Sequence, residues 1–259
     1  MSDGSAQRPE ARRRSRPSYG IDAPYVPIVF IVIAVLFVVG AATGIAVWWV
    51  GLIGLFFLAQ AAFYLYATLR GKHVAWSRLL DEQHLRGDEQ VLDLGCGRGA
   101  VLLAAAGRLT TGRAYGLDLW RSHDQSGNDP AATATNAAAL HVEERVHLDT
   151  GDMTALPYPD DFFDLVVSSL AIHNIPALEN RYKVLDEALR VLRPGGRLVV
   201  ADIRTVGKYA EHLRSVGAQD VAVRGLGPGF WFGGPWQATR AVSAVKPALA
   251  PQPTASGSD

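Results

Sequence analysis

The residues best suited to chemistry lie close together in Val91-Leu92-Asp93-Leu94-Gly95-Cys96-Gly97-Arg98-Gly99. A short apolar run bounded by glycines is the pattern of a buried strand. Gly95, Gly97 and Gly99 let the chain turn tightly and let a ligand approach the main chain closely. Ala100 to Ala106 then predicts a helix start, where free N–H groups favour a negatively charged group. Gly95-x-Gly97-x-x-Ala100 also satisfies a loose dinucleotide fingerprint. Asp118 follows about 20 residues on, where an acid binds ribose hydroxyls. The chemistry is that of a nucleotide-type cofactor site. A nicotinamide cofactor and S-adenosylmethionine both fit this loop, because each presents an adenosine to it.

Such a loop needs strands and helices to hold it, and both patterns alternate from Arg86 onward. Strands are predicted at Ala114–Leu117, ending at Asp118, at Arg145–Leu148, Phe163–Ser168 and Arg197–Ala201. Helices are predicted at Pro130–Leu140, at Leu178–Leu192, stopped by Pro194-Gly195-Gly196, and at Val206–Val216. Strands near Asp220–Val223 and Ala238–Val245 follow with no helix between them, which makes an antiparallel edge. Alternation of this kind means an α/β fold, a parallel sheet with helices on both faces.

The later motifs narrow the cofactor. Gly151-Asp152-Met153 follows the third strand and precedes Leu156-Pro157-Tyr158-Pro159-Asp160-Asp161-Phe162-Phe163-Asp164. Ser168-Ser169-Leu170-Ala171-Ile172-His173-Asn174 and Arg190-Val191-Leu192-Arg193-Pro194-Gly195-Gly196 come next. In this order the set closely resembles the class I S-adenosylmethionine-dependent methyltransferases, over about Arg86 to Lys246. Asp118-Leu119-Trp120 followed by Asp124-Gln125-Ser126-Gly127-Asn128 resembles a bacterial membrane-anchored subgroup. The resemblance implies a Rossmann-like, seven-stranded sheet with an antiparallel last strand. It implies that Asp93, Gly95 and Gly97 hold the methionine part of S-adenosylmethionine, with Cys96 in the same cofactor-binding loop. Asp118 would take both ribose hydroxyls, with Leu119 against the adenine. Asp152 would bond the adenine amino group, with Met153 beside the ring, and Ser169 would line the opening where the methyl group points.

A sulfonium donor is already activated, so the protein must mainly hold the acceptor in line and exclude water. A hydroxyl or ammonium acceptor must also lose a proton. His173, just past the fourth strand, is the base candidate, against the reading of a satisfied structural histidine. Asn174 could position an acceptor. His123, Asp124, Gln125, Ser126 and Asn128 form a polar loop on the same sheet edge, either a lid or a solvated loop. Cys96 is a small loop residue rather than a nucleophile, and a chain with one cysteine holds no multi-cysteine metal site. No metal ligand set is expected.

With 25 basic and 25 acidic residues the net charge is zero, so no bulk field argues for nucleic acid. The apolar residues are concentrated instead. From Tyr25 to Leu69 there is no Asp, Glu, Lys or Arg. At about 1.5 Å per residue this run is roughly twice the ~30 Å hydrocarbon thickness. Two spans fit, about Val26–Ala42 and Ile45–Thr68, with Gly40–Gly44 as the turn. Trp48 and Trp49 near the turn, and Tyr25, Tyr64 and Tyr66 near the other ends, match interfacial aromatic belts. The run outlasts a signal-peptide core of about 7–15 residues, and neither span shows the polar face of a soluble core helix. Arg8, Arg12, Arg13, Arg14 and Arg16 precede the first span, and Arg70 and Lys72 follow the second. Basic flanks at both ends place both termini and the catalytic domain in the cytoplasm, at the inner membrane.

The expected organisation is therefore a disordered basic tail (1–22), a two-helix transmembrane hairpin (23–69), a connecting helix (70–87), a methyltransferase domain (88–246) and a disordered tail (247–259). Its partners would be the lipid bilayer, through the hairpin, and a small-molecule or lipid acceptor. The aromatic loop Gly225–Trp236 would cover the sheet edge, touch the bilayer or line an apolar acceptor site. Two rivals stand beside this reading. A nicotinamide-dependent oxidoreductase shares the first loop but leaves the later motifs unexplained. A non-catalytic, membrane-tethered cofactor-binding scaffold would bind cofactor without methyl transfer.

Overall fold

The computed structural model describes residues 16–121 and 125–248. Two apolar helices come first, α1 (Tyr25–Ala42) and α2 (Val50–Tyr66), packed as a hairpin. They approach closely because the contact is lined by small residues. A Cβ on Gly54 would lie 2.8 Å from the Ala34 carbonyl oxygen. The second helix begins five residues later than expected, at Val50 rather than Ile45. The Thr43 N–H caps α1 on the Val39 carbonyl at 2.9 Å, and Gly44 leaves the helix at φ +74°.

The chain does not break after α2. A π-helical turn (Ala67–Gly71) joins it to α3 (Lys72–Asp81), so Val50–Asp81 is one helix of 32 residues. The expected connecting helix is thus shorter than 70–87 and continuous with the hairpin. It ends at Asp81, and Gly87 then turns the chain at φ +105° into the sheet.

The remaining elements are β1 (Gln90–Leu94), α4 (Leu102–Ala106), β2 (Arg113–Asp118), α5 (Pro130–Leu140), β3 (Val146–Thr150), β4 (Phe163–Ser169), α6 (Leu178–Val191), β5 (Leu192–Asp202), α7 (Val206–Ser215), β6 (Gln219–Gly225) and β7 (Arg240–Val245). The seven strands lie in the order β3-β2-β1-β4-β5-β7-β6. All pairings are parallel except β5–β7 and β6–β7, so β7 is the reversed strand the motifs implied. The switch in strand order falls between β1 and β4, where ligands bind at the carboxyl ends in sheets of this kind.

Local chemistry explains most boundaries. Asp129 caps α5 by accepting from the Ala131 N–H at 2.7 Å, with Pro130 in the first turn and His141 in the left-handed region at its end. Val184, Leu185, Ala188 and Val191 put one face of α6 in the core, and each large side chain buried there contributes about 1.5–3 kcal/mol. Two further boundaries differ from the sequence reading. Helix α4 starts at Leu102, because Gly99 at φ +83° still belongs to the turn. Pro194-Gly195-Gly196 does not separate α6 from β5 but lies inside β5. Gly195 N–H donates to the Lys246 carbonyl and Lys246 N–H to the Gly196 carbonyl, each at 2.9 Å, so this turn is stitched into the sheet.

Residues 16–22, expected as part of a disordered tail, run across the glycine loop instead. Ser18 N–H donates to Asn136 Oδ1, and Ile21 N–H to Ser126 Oγ, both at 2.9 Å. Residues 1–15 and 249–259, the rest of the two tails expected to be disordered, lie outside the described residues.

Candidate active site

The glycine loop leaves β1 at the carboxyl edge of the sheet. Gly95 and Gly97 have φ of +71° and +49°, where a side chain would be strained. A Cβ on Gly97 would meet Gln125 Oε1 at 2.5 Å, and one on Gly95 would collide with Ala171 and sit 3.3 Å from Met153 Cε. The loop thus gathers Met153, Ala171 and Gln125 around a bare backbone.

Asp93 lies beneath it, 1 % exposed, and its Oδ1 has no hydrogen-bond partner among the described residues. Burial pushes its carboxyl up to about 7, with the nearby Asp118 adding to the rise and a backbone bond near Leu102 and the charge of Lys72 opposing it. Arg98 Nε and Asn128 Oδ1 are also buried without partners. Three such atoms around one loop are the feature a polar, charged ligand would satisfy.

Asp118, at the end of β2, accepts from Gly97 N–H on Oδ2 at 2.8 Å. Its Oδ1 accepts from Trp120 N–H at 2.6 Å and Asn128 Nδ2 at 3.3 Å. Leu119 beside it is 40 % exposed. Asp152 follows β3 and is exposed, its Oδ1 accepting from the Thr154 N–H and hydroxyl. Ser169 ends β4, and its Oγ accepts from Trp76 Nε1 of α3 at 2.8 Å. The predicted cofactor residues therefore line one edge of the sheet.

His173 and Asn174 occupy a short 3-10 turn directly after β4. Asn174 is exposed. His173 Nδ1 lies 2.6 Å from Oδ1 of Asp202, a carboxylate with no solvent exposure at the end of β5. Asp202 also accepts from the His173 N–H at 3.0 Å, the Ile203 N–H at 2.8 Å and the Tyr209 hydroxyl at 3.3 Å. The carboxylate holds a proton on Nδ1, which leaves Nε2 as the ring's acceptor. Both histidine readings retain support, since this pair orients a base as well as it satisfies a structural residue.

Cys96 is buried, and desolvation pushes its thiol well above the ordinary range, against a role as nucleophile. Of the polar loop, Gln125, Ser126 and Asn128 contact the site, while His123 and Asp124 lie outside the described residues. Among the described residues no group of three His, Cys, Asp or Glu could hold a metal ion.

Sequence reasoning missed four contributors. Asp202 closes the apolar run Leu198–Ala201, the same signal that singled out Asp118 after β2. Trp76 had no local signal. Lys72, read as a topology-setting cation, is buried and paired with Asp22 at 2.7 Å. Gln125 Nε2 donates to Asp22 Oδ1 at 3.0 Å while Gln125 Oε1 accepts from Arg98 N–H at 2.8 Å. A continuous polar chain thus links the base of the hairpin to the glycine loop.

Residues 92–200 match the family described as a methyltransferase domain. The chain is 35 % identical over 157 residues to 27-O-demethylrifamycin SV methyltransferase of Amycolatopsis mediterranei, covering 58 % of this chain and 53 % of that protein. It is 35 % identical over 133 residues to a ubiquinone/menaquinone biosynthesis C-methyltransferase of Roseobacter denitrificans, covering 51 % and 50 %. The chain spans about half the length of the curated relatives it matches. Among solved structures the 4+2 cyclase SpnF superposes with a TM-score of 0.54 at 22 % identity, covering 67 % of this chain and 81 % of that one. That likeness concerns the fold, which hosts more than one chemistry. On its sheet order, glycine loop and matched residues, segment 92–200 is similar to the methyltransferase-domain family and sits in a sheet of the class I methyltransferase type.

Proposed function

We propose that this protein is a membrane-anchored methyltransferase that binds S-adenosylmethionine and methylates a small or lipophilic acceptor on the cytoplasmic side. The observation that carries the cofactor reading is the buried Asp93 carboxylate, its Oδ1 without a partner among the described residues, under a three-glycine loop. It would receive the ammonium of the methionine part, with the backbone of Gly95, Cys96 and Gly97 beside it. Asp118 would take the ribose hydroxyls, with Leu119 and Met153 against the adenine and Asp152 at its amino group. Bound S-adenosylmethionine supplies an activated methyl group. Ser169 and the 3-10 turn border the place where an acceptor would meet it. There His173 Nε2 would take the proton of a hydroxyl or ammonium acceptor, with Asp202 holding the ring, and Asn174 would orient the acceptor. The many exposed apolar residues along the hairpin, Leu36, Leu52, Leu55 and Leu58 among them, support anchoring, and Arg16 and Arg70 at its base support a cytoplasmic domain. The ubiquinone/menaquinone relative lends weight to a lipophilic acceptor.

Calorimetric titration of detergent-purified protein with S-adenosylmethionine and with NADH tests this, alongside Asp118→Ala. Binding of the first alone, weakened at least 100-fold in the variant, is expected. NADH binding alone would overturn the cofactor reading. Tight binding with no label transferred to any membrane or soluble extract would favour a tethered scaffold.

A further inference from the structure

The uncharged loop between β6 and β7 does more than cover the sheet edge. Between Arg224 and Arg240 no residue carries a charge. The loop climbs α2 from its base toward the hairpin turn. Gly229 lies against Tyr66, Phe232 packs edge-on against Tyr64 at 5.1 Å, Gly233 abuts Gln60, and Trp236 stacks obliquely on Phe56 at 6.0 Å. From Tyr66 to Phe56 is about 15 Å along the helix, half of a ~30 Å hydrocarbon layer.

Two placements are open to such a loop. If it stayed in water, α2 would keep only the roughly 9 Å between Phe56 and Val50 for the bilayer, too short to cross it. Ile28 and Val29 near the base of α1, 59 % and 49 % exposed, would then face water as well, together with Phe63 and Tyr66. If it entered the bilayer, every one of these side chains would be in lipid, along with Trp236 at 61 % exposure.

We infer that the Gly225–Thr239 loop is a third bilayer-inserted segment, which seats the catalytic domain in the cytoplasmic leaflet beside the hairpin; this rests on the anchoring proposed above. Irregular backbone at membrane depth must satisfy its own polar groups, and several backbone N–H groups of this loop do so within it, while Gln237 Oε1 and Thr239 Oγ1 are buried without partners among the described residues. Leu226 N–H donates to Thr239, Phe230 to Gly227, Trp231 to Pro228, Phe232 to Gln237, Gln237 to Gly234 and Thr239 to Phe230. Pro228 and Pro235 have no N–H to satisfy. The inner side of the loop, Phe230 and Phe232, belongs to the same buried cluster as Trp76 and Cys96 at the site. The loop's inner side thus packs into the same core as Trp76, the residue that donates to Ser169 at the site.

The test is depth measurement on the full chain in phosphatidylcholine–phosphatidylglycerol vesicles, using a nitroxide on single cysteines in a Cys96→Ala background. Leu55→Cys on the outer side of α2 reports the anchor, Lys208→Cys on α7 the aqueous phase, and Trp236→Cys the loop. The expected result is that the labels at 55 and 236 are both accessible to oxygen and shielded from a water-soluble nickel chelate, while 208 is the reverse. Lipid exposure at 55 with chelate access at 236 would overturn the inference and leave the anchor standing. Chelate access at both would overturn anchor and inference together. Trp fluorescence quenching by bromine-labelled lipid chains repeats the test with Cys96 intact. Quenching should fall in Trp236→Phe, and unchanged quenching would refute the loop's insertion.

Discussion

Asp93→Asn is the most informative perturbation, because one buried carboxylate is asked to serve binding at the expense of folding. Its folded carboxyl is raised from 3.8 to about 7 by burial. Between these values the folded state holds more protons than the unfolded chain, so unfolding free energy falls as pH rises. Three units at 1.36 kcal/mol each make this roughly 4 kcal/mol across the whole window, of which roughly 3 kcal/mol falls between pH 5 and 8. Asparagine carries no such charge. Urea unfolding in detergent at pH 5 and pH 8 should show wild type losing stability relative to Asp93→Asn as pH rises, by a few kcal/mol. Calorimetry should show the reverse for function. S-adenosylmethionine should bind wild type with release of a proton fraction at pH 6, detected in two buffers of different ionisation enthalpy, and should bind the variant at least 100-fold more weakly. Equal pH dependence of stability in both proteins, or cofactor binding with no proton release, would refute the argument that Asp93 is a buried carboxyl, one oxygen unpaired, that awaits a cation.

Three further outcomes follow from named contacts. Asp22→Asn leaves the Lys72 ammonium buried against a neutral amide and should cost roughly 3–5 kcal/mol in urea unfolding, whereas Asp22→Asn with Lys72→Met should recover most of it; failure of the double variant to recover would mean the pair is not the cause. Asp202→Asn removes the carboxylate that orients the His173 ring, so turnover of a proton-losing acceptor should fall about 10- to 100-fold with S-adenosylmethionine affinity unchanged; a matching loss of cofactor affinity or of thermal stability would assign Asp202 a structural role alone. Cys96 should react with iodoacetamide more than 10-fold slower than a free thiol at pH 8, since burial raises its thiol; rapid labelling of folded protein would contradict the packing of the loop.

Much of the fold was legible because its signals are local. Apolar runs placed β1, β2, β4 and β7 within two residues, and the alanine-rich run Pro130–Leu140 placed α5, whose start the structure shows capped by Asp129. The reversed strand was legible from two strand patterns with no helix between them. Less legible were features that depend on what lies opposite. Pro194-Gly195-Gly196 looks like a stop signal, and only pairing with Lys246 draws it into β5. Residues 16–22 have a disordered composition, and partners far away in the chain, Asn136, Ser126, Gln125, Thr68 and Lys72 among them, hold them in place.

The sequence by itself determined the class of protein, since glycines that bare a backbone, an acid at a strand end and an uncharged run of membrane length are properties of short stretches. It also determined which residues would gather at one edge, because strand ends on one side of a parallel sheet must share it. Tertiary structure alone decided how those parts are joined. The unbroken helix from Val50 to Asp81 carries the hairpin directly to Ser169 through Trp76, and Asp22, Lys72 and Gln125 tie its base to the glycine loop. The Gly225–Thr239 loop lies along that same helix. Contacts across fifty or more residues have no local signature, because they are set by which surfaces the packed sheet brings together.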